Sequence, residues 1–322
     1  MTTYKEIRGS QIEAVATDPS NPVEGQVWYN TTSNVLKGHK VLATGAWATG
    51  NAINDGRSTS GTAGTGSATG LIFGGLPPTT ANTESYNGTN WTEVNNLNTA
   101  RNSLAGAGTQ TAALAFGGND GSVTAVTETW NGTNWTEVND LTDSRSVLAG
   151  GGTNTAALAT GGSSPGDTAN TEVWNGTNWT EVNNLNTARN YLMFGGTSTS
   201  GIAAGGGPGT KNETEIWNGT NWTETSNLNT SRYFIGGTGA SSTDSIAFGG
   251  LTPSVTANTE LWSGSSWTET SNLNTARGAF KGSGNATTAA LAAGGENATT
   301  SALTATEEWS STTPTTVTFT DS

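Results

Sequence analysis

One unit of about 44 residues recurs along this chain, and no other feature limits its possible folds so strongly. A tryptophan marks the unit, and the intervals between successive copies are 44, 44, 44, 43 and 45 residues. The marker residues are Trp47, Trp91, Trp135, Trp179, Trp222 and Trp267. Repeats with a period of roughly 20–50 residues are typical of solenoids and propellers, in which neighbouring copies bury each other's apolar faces. The sequence therefore predicts one repeat array.

Three further features recur in each unit with the tryptophan. An arginine follows ten residues after it, and these arginines are half of the 12 Lys and Arg residues: Arg57, Arg101, Arg145, Arg189, Arg232 and Arg277. A diglycine comes next, and then a Thr-Glu pair that precedes an aromatic residue; its glutamates are Glu84, Glu128, Glu172, Glu215, Glu260 and Glu307. We interpret the tryptophans as packing between sheets, and the glutamates as partners of the arginines or of backbone N–H groups.

Four candidate strands make up one unit. Residues 102–109 are mostly small, residues 111–118 form a continuous apolar run, and the segments 127–130 and 134–138 flank Asn131-Gly132. Asn-Gly favours positive φ at both central positions of a type I′ turn, so it predicts a hairpin. Four antiparallel strands in roughly 40–50 residues are typical of a propeller blade. The glycine-rich first strand fits the crowded axis of such a fold.

The repeat frame is shifted with respect to the chain. A fourth-strand tryptophan, Trp47, precedes the first complete unit, and the third-strand sequence at 306–309 is not followed by a fourth-strand sequence of the repeat. We therefore predict that the strand at Trp47 pairs with the strand that ends at Trp309, and that this pairing closes a ring. The alternative is that residues 315–320 fill that edge.

The order of arginine, diglycine, Thr-Glu-x-Trp and tryptophan resembles the kelch repeat across residues 45–310. This resemblance implies an all-β fold: a six-bladed kelch-like β-propeller of four-stranded antiparallel blades, with a short N-terminal extension. The expected domains are an N-terminal attachment arm or hairpin at 1–40, the propeller at 41–310 and a C-terminal tail or edge strand at 311–322. Kelch propellers include enzymes and binding scaffolds, so the fold alone does not give the function.

The segment NPVEGQVWYNTTSNVLKG at 21–38 resembles a short hairpin of phage tail-fibre and virion-attached proteins. The repeats look like fibre-associated proteins of marine tailed phages. The resemblance implies a virion structural or adhesion protein, made in the host cytoplasm and carried on the tail or particle surface. Its expected partners are other virion or tail proteins, a glycan or protein of the host surface, and further copies of itself. The alternative for 21–38 is an extra strand pair packed on the propeller.

Charge and composition exclude several classes of function. The net charge of −13 makes nucleic acid an unfavourable partner. No run approaches the roughly 18 apolar residues of a membrane helix, so membrane insertion is not expected. The single histidine, His39, cannot supply a Ser-His-Asp triad within the repeats or a histidine-rich metal site. We expect a protein that is not an enzyme, with no catalytic residue, metal or cofactor; the alternative is a carbohydrate-binding or carbohydrate-active propeller.

The segment between the second and third strands varies more than any other part of the unit. From the second glycine to the threonine of Thr-Glu it spans 8, 9, 9, 8, 9 and 11 residues. We predict that these six segments emerge on one face and contact the host surface; unselected drift is the alternative. Their marker residues are Pro77, Asp120, Asp167, Lys211, Pro253 and Glu296. They contain no aromatic residue, which favours hydrogen bonding over stacking on sugars.

Overall fold

The structure, a computed structural model, describes residues 12–19, 26–40, 45–311 and 315–319, and its regular elements there are all β-strands. In chain order the first four are β1 (Glu13–Val15), β2 (Val27–Asn30), β3 (Val35–Lys40) and β4 (Ala46–Gly50). The next eight are β5 (Gly61–Gly66), β6 (Thr69–Phe73), β7 (Thr83–Tyr86), β8 (Trp91–Val94), β9 (Ala105–Thr109), β10 (Ala112–Phe116), β11 (Thr127–Trp130) and β12 (Trp135–Val138). Eight more are β13 (Ala149–Gly152), β14 (Ala157–Thr160), β15 (Thr171–Trp174), β16 (Trp179–Val182), β17 (Met193–Gly196), β18 (Gly201–Gly206), β19 (Lys211–Trp217) and β20 (Trp222–Thr225). The last eight are β21 (Gly236–Ser241), β22 (Asp244–Phe248), β23 (Thr259–Trp262), β24 (Trp267–Thr270), β25 (Gly282–Ala286), β26 (Ala289–Ala293), β27 (Thr306–Ser310) and β28 (Thr315–Phe319).

Two compact units divide the chain. One is Gly45–Ser311, and the other combines Met1–Thr44 with Thr312–Ser322. The described strands of the larger unit, β4 to β27, form six four-stranded antiparallel sheets. The first five sheets are runs of four consecutive strands, from β5–β8 to β21–β24, and the sixth has the order β25-β26-β27-β4. Each repeat of the sequence is therefore a four-stranded meander.

The sixth sheet joins the two ends of the repeat array. β4 pairs antiparallel with β27, and Trp47 lies opposite Trp309. The six first strands lie side by side in the order β5, β9, β13, β17, β21 and β25, and β25 lies beside β5. The sheets therefore surround a central axis, as in a β-propeller. The shifted repeat frame predicts this pairing. The alternative, in which residues 315–320 fill this edge, was wrong. β4 pairs with the edge of β27, and β28 pairs with β3.

Glycine in the first strands permits close approach at the axis. A Cβ atom on Gly106 would lie 2.4 Å from the backbone oxygen of Thr62 in the neighbouring first strand. No side chain fits at that distance, so the residue must be glycine unless the strands move apart. This explains why glycine and alanine recur in the first strands, although β17 begins with Met193 and Phe194.

Aromatic residues fill the space between neighbouring sheets. The ring centroids of Phe73 and Trp135 are 4.9 Å apart, in an edge-on arrangement between the first and second sheets. The indole N–H of Trp135 also donates to Thr83 Oγ1 of the first sheet at 3.2 Å. The same bond recurs at 3.0–3.1 Å in the pairs Trp91–Thr306, Trp179–Thr127, Trp222–Thr171, Trp267–Thr214 and Trp47–Thr259. Burying each such side chain contributes roughly 2–3 kcal/mol, so these tryptophans hold neighbouring sheets together.

The hairpin between the third and fourth strands differs from the predicted one. Trp130 pairs with Trp135, so the loop contains the four residues 131–134 rather than two. Gly132 has a φ of +91°, but Asn131 does not have a positive φ. The Asn131 side-chain oxygen instead accepts the N–H groups of residues 133 and 134, each at 2.9 Å. The type I′ prediction was wrong because the asparagine caps the loop with its side chain.

The smaller unit is a four-stranded sheet with the order β1-β2-β3-β28. β1 runs parallel to β2, and the other two pairs are antiparallel. Trp28 is fully buried, and its indole N–H donates to Asp18 Oδ1 at 3.0 Å. Lys37 Nζ lies 2.7 Å from Asp18 Oδ2. The GQVWYN sequence therefore belongs to a sheet with its own buried tryptophan and ion pair.

The C-terminal strand completes this smaller sheet. The sequence predicts a C-terminal tail or edge strand at 311–322, and β28 pairs with β3 at the edge of this sheet. Parts of the expected arm, residues 1–11 and 20–25, lie outside the described residues.

Candidate functional site

Two kinds of connection lie next to each other in the larger unit. One joins the second and third strands within a sheet, and the other joins the fourth strand of one sheet to the first strand of the next. Backbone bridges link the two kinds in each sheet: Ser58–Leu76, Asn102–Asn119, Ser146–Ser163, Asn190–Gly207, Tyr233–Leu251 and Gly278–Glu296. We call the face that carries both kinds the link face. Loops on a rigid scaffold are the usual carriers of binding residues, so this face is the candidate site.

The six predicted binding residues are distributed around the link face. The exposed ones are Pro77, Asp120, Asp167 and Pro253. The half-buried ones are Lys211 and Glu296. Lys211 does not lie in a loop, because it is the first residue of β19, and its Nζ lies 3.7 Å from Glu213. Asp167 and Glu296 both contribute to the electrostatic environment of Tyr191, which is described below.

A ring of backbone surrounds the axis at the link face. The residue two positions after each repeat arginine has a φ between +51° and +57°, which non-glycine residues rarely adopt. These residues are Thr59, Ser103, Val147, Tyr191, Phe234 and Ala279. Backbone hydrogen bonds of 2.6–3.0 Å connect them in sequence, from Ala279 through Thr59 to Phe234. Their side chains line a small pocket at the axis. Backbone strain of this kind is concentrated at functional sites.

Three aromatic residues cluster on one side of this ring, where the chain enters the fourth and fifth sheets. The ring centroids of Tyr191 and Phe234 are 3.8 Å apart. Tyr233 lies 5.3 Å from Phe234 and 6.3 Å from Tyr191. All three side chains are half-buried, so part of each ring is open to solvent. In the other four sheets the two positions after the arginine hold no aromatic residue.

Acidic and amide groups adjoin these aromatic residues. Asn190 Nδ2 donates to Asp167 Oδ1, and the buried Asn190 Oδ1 accepts no hydrogen bond within the described part of the chain. Burial raises the pKa of Tyr191, and the nearby Asp167 carboxylate adds to that rise. Tyr233 and Glu296 add smaller contributions to the same rise. Burial also raises the pKa of Glu296.

We call this group of five residues the aromatic mouth: Tyr191, Tyr233, Phe234, Asp167 and Glu296. Aromatic rings offer flat apolar surface, and hydroxyl and carboxylate groups are able to exchange hydrogen bonds with a ligand. Sugars combine apolar C–H faces with many hydroxyl groups, so they fit both kinds of contact. The aromatic members were not among the predicted binding residues, because that prediction rested only on the segments of variable length. The signal was present, since Tyr and Phe depart from the repeat at fixed positions in two units.

The repeat arginines and glutamates form buried ion pairs inside the sheets. Arg145 Nη2 lies 2.7 Å from Glu172 Oε1, and both side chains are fully buried. Arg145 Nη1 donates to the backbone oxygens of Gly161 and Asn170 at 3.0 and 2.7 Å. Glu172 Oε2 accepts the N–H of Thr142 at 2.7 Å. The other pairs are Arg57–Glu84, Arg101–Glu128, Arg189–Glu215, Arg232–Glu260 and Arg277–Glu307. Each glutamate uses both an arginine and a backbone N–H, which is a structural arrangement.

Other candidate chemistry is limited in the described residues. No group of three or more His, Cys, Asp or Glu side chains there is arranged to hold a metal ion. Asp120 Oδ1 accepts the N–H of Ser122 within its own turn. The side chain of His39 lies outside the described part of the structure. In the described ranges, no helix has the length and apolar character needed to cross a bilayer.

Comparison with known proteins supports the fold and gives no family. No protein-family model and no curated protein matches the chain. Among solved structures, YjhT, a kelch-like β-propeller, is similar with a TM-score of 0.64 and 13% sequence identity. The similarity covers 80% of this chain and 96% of YjhT. At this identity the comparison shows the fold alone: an all-β propeller of repeated four-stranded antiparallel sheets.

Proposed function

We propose that this chain is a non-enzymatic virion adhesion protein, a phage tail-fibre or tail-associated protein built on a six-bladed kelch-like propeller. In this proposal the link face binds a host-surface glycan, and the smaller unit docks on another virion protein. The aromatic mouth is the observation that carries the recognition part. The virion part rests on the sequence resemblance of residues 21–38 and of the repeats to fibre-associated proteins.

Glycan binding follows from the composition of the aromatic mouth. Tyr191 and Phe234 give an apolar surface on which the C–H face of a sugar ring can stack. Asp167 and Glu296 accept hydrogen bonds from sugar hydroxyls, and the tyrosine hydroxyls donate or accept them. Most ligand sites combine an aromatic or apolar lining with a few placed polar groups. Stacking is thus available in addition to the hydrogen bonding that the variable segments favour.

A binding assay with two repeat-matched substitutions tests this site. Tyr191→Val and Phe234→Ser introduce the residues that the third and second sheets carry at the same ring position. We expect the fluorescently labelled wild-type protein to bind host-surface polysaccharide and the double variant to lose binding. Tyr29→Ser in the smaller unit is the control and should bind as the wild type does. Equal binding by the double variant would contradict the proposal. Release of reducing sugar from the polysaccharide would favour the carbohydrate-active alternative.

The smaller unit is the proposed attachment element. It is compact by itself, and it carries both exposed large hydrophobic side chains found in the described residues, Ile12 and Tyr29. Since β28 completes its sheet, a clean deletion must remove 1–44 and 312–322 together. We expect mass spectrometry of purified particles to detect the full chain but not the isolated unit 45–311. Incorporation of that isolated unit into particles would contradict the docking role.

A further inference from the structure

The six first strands enclose a tunnel along the axis of the larger unit. Its cavity has a volume of about 260 Å³ and is lined mainly by glycine, alanine, threonine and serine. Among the described lining residues, the only charged side chain is that of Lys281. Lys281 Nζ donates to the backbone oxygens of Leu148 and Leu192, at 3.1 and 3.4 Å. Leu148 and Leu192 lie just before the first strands of the third and fourth sheets, whereas Lys281 lies just before the first strand of the sixth sheet. The lysine side chain therefore extends across the tunnel.

Among the described residues, no carboxylate is paired with Lys281, whose hydrogen-bond acceptors are backbone oxygens. Burial lowers its pKa to about 8, and no carboxylate contributes to that shift. An ammonium group has three donors, and two of them are directed to the backbone oxygens. Lys281 is half-buried, and a desolvated charge without an ion-pair partner is costly, so the third donor and the remaining charge favour an anionic ligand. Tyr191, the other titratable group of the adjacent small pocket, has a raised pKa and is neutral near pH 7.

The repeat does not need a lysine at this position. The residue four positions after the arginine is small or apolar in the other five sheets: Gly61, Ala105, Ala149, Met193 and Gly236. All six sheets form the same meander, whichever residue stands there. The lysine therefore departs from the repeat in one sheet only, without a visible requirement of the fold.

We propose that the tunnel is a binding site for a small organic monocarboxylate, with Lys281 as the counter-charge. One half-buried cation balances one negative charge, whereas a divalent anion would leave a second charge uncompensated in the cavity. The cavity is larger than the roughly 30 Å³ that one water occupies, so it has room for a short carboxylate with bound water. Threonine hydroxyls and the inward edges of the first strands supply further hydrogen bonds. This site is separate from the aromatic mouth and does not depend on glycan recognition.

Acetate is the probe for this site, with sulfate and chloride at matched ionic strength as comparisons. Selective ¹³C labelling of the lysine Cε carbons gives each lysine an NMR signal without changing its ammonium group, and loss of one signal in Lys281→Met assigns that residue. We expect added acetate to shift the Lys281 signal saturably, to raise its midpoint of titration and to raise the melting temperature. Sulfate should produce none of these effects at Lys281. Lys37→Met removes a lysine of the smaller unit and should retain the full acetate response.

The variant Lys281→Met should abolish the acetate response while the fold persists, because the fourth sheet carries methionine at this position. If this variant fails to fold, Lys281→Ala replaces it, since the second and third sheets carry alanine there. An unchanged acetate effect in the variant, or no shift of the Lys281 signal in the wild type, overturns the proposal. A response to sulfate equal to that to acetate, or a response to chloride alone, overturns the monocarboxylate assignment.

Discussion

Replacement of Arg145 by methionine tests whether the buried ion pairs hold each sheet to the link that precedes it. The substitution removes the partner of Glu172, which then keeps one backbone N–H donor in a fully buried position. It also removes the arginine donor from the backbone oxygens of Gly161 and Asn170, of which the Asn170 oxygen still accepts the N–H of Gly161 at 3.0 Å. Removing one partner of a buried pair costs about 3–5 kcal/mol. We therefore expect Arg145→Met to lower the free energy of unfolding by about 3–5 kcal/mol.

Two further variants separate the ion pair from other effects. Arg145→Met combined with Glu172→Met removes both charges, and replacement of a whole buried pair by apolar groups is often nearly neutral. The double variant should therefore be more stable than Arg145→Met alone. Lys211→Met breaks a partly exposed pair with Glu213 and should cost below about 1 kcal/mol.

Urea unfolding, followed by tryptophan fluorescence and far-UV circular dichroism, measures these differences. Coincident curves from the two probes justify a single free energy of unfolding. A loss of less than about 1 kcal/mol in the free energy of unfolding of Arg145→Met would refute the reasoning, because a loss of that size is typical of an ion pair on the surface. The Glu172→Met single variant completes a double-mutant cycle in the same assay. Strict additivity of Arg145→Met and Glu172→Met would also refute the reasoning, since contacting partners must show coupling.

Three smaller predictions concern the hairpin loop, the contact between sheets and the smaller unit. Gly132→Ala should lower stability by roughly 1 kcal/mol in thermal unfolding, because its φ is +91° and a Cβ would approach a backbone oxygen at 3.2 Å. Gly166→Ala is the control, since its Cβ meets nothing within 4 Å and its φ is not in the positive range. Trp135→Phe should cost about 1–2 kcal/mol in the urea assay, because it leaves a buried threonine hydroxyl of the preceding sheet without its indole donor. Hydrogen bonding to Lys37 lowers the pKa of Asp18 to about 2, which is below its value in the unfolded chain. The ionised carboxylate therefore stabilises the folded state above roughly pH 4, and this contribution is lost as the pH falls through about 2. The indole N–H signal of Trp28 in NMR should report this loss, and Asp18→Asn should remove the pH dependence.

The sequence predicted the repeated sheets because the physical requirements of each sheet recur at fixed spacing. Trp135 must reach the preceding sheet, and Gly106 must admit a neighbouring strand at the axis. It also predicted the ring closure, since Trp47 supplies the strand that the last unit lacks. The prediction of a two-residue hairpin loop was wrong because the same Asn-Gly dipeptide fits two turns of different length. The pairing of β28 with β3 could not be predicted either, because the sequence of a strand does not determine which distant strand it pairs with.

The candidate site was predicted in part. Variation in segment length pointed to the connections between second and third strands, and it led to Asp167 and Glu296. It could not reveal Tyr191 and Phe234, which lie in connections of constant length. Those two kinds of connection meet only because the meander brings both to the same face. Residues that depart from a repeat at fixed positions, such as Lys281, are the signal that length comparison overlooks.

The most direct test of the account is to locate a bound oligosaccharide by NMR of ring-labelled tyrosine. The chain has five tyrosines, which single substitutions can assign. The account predicts that an oligosaccharide from the host surface shifts the signals of Tyr191 and Tyr233 saturably. The signal of Tyr86, which is 1% exposed in the first sheet, and that of Tyr29 in the smaller unit should not move. Signals of Tyr191 and Tyr233 that stay unchanged while the oligosaccharide binds would contradict the assignment of the aromatic mouth.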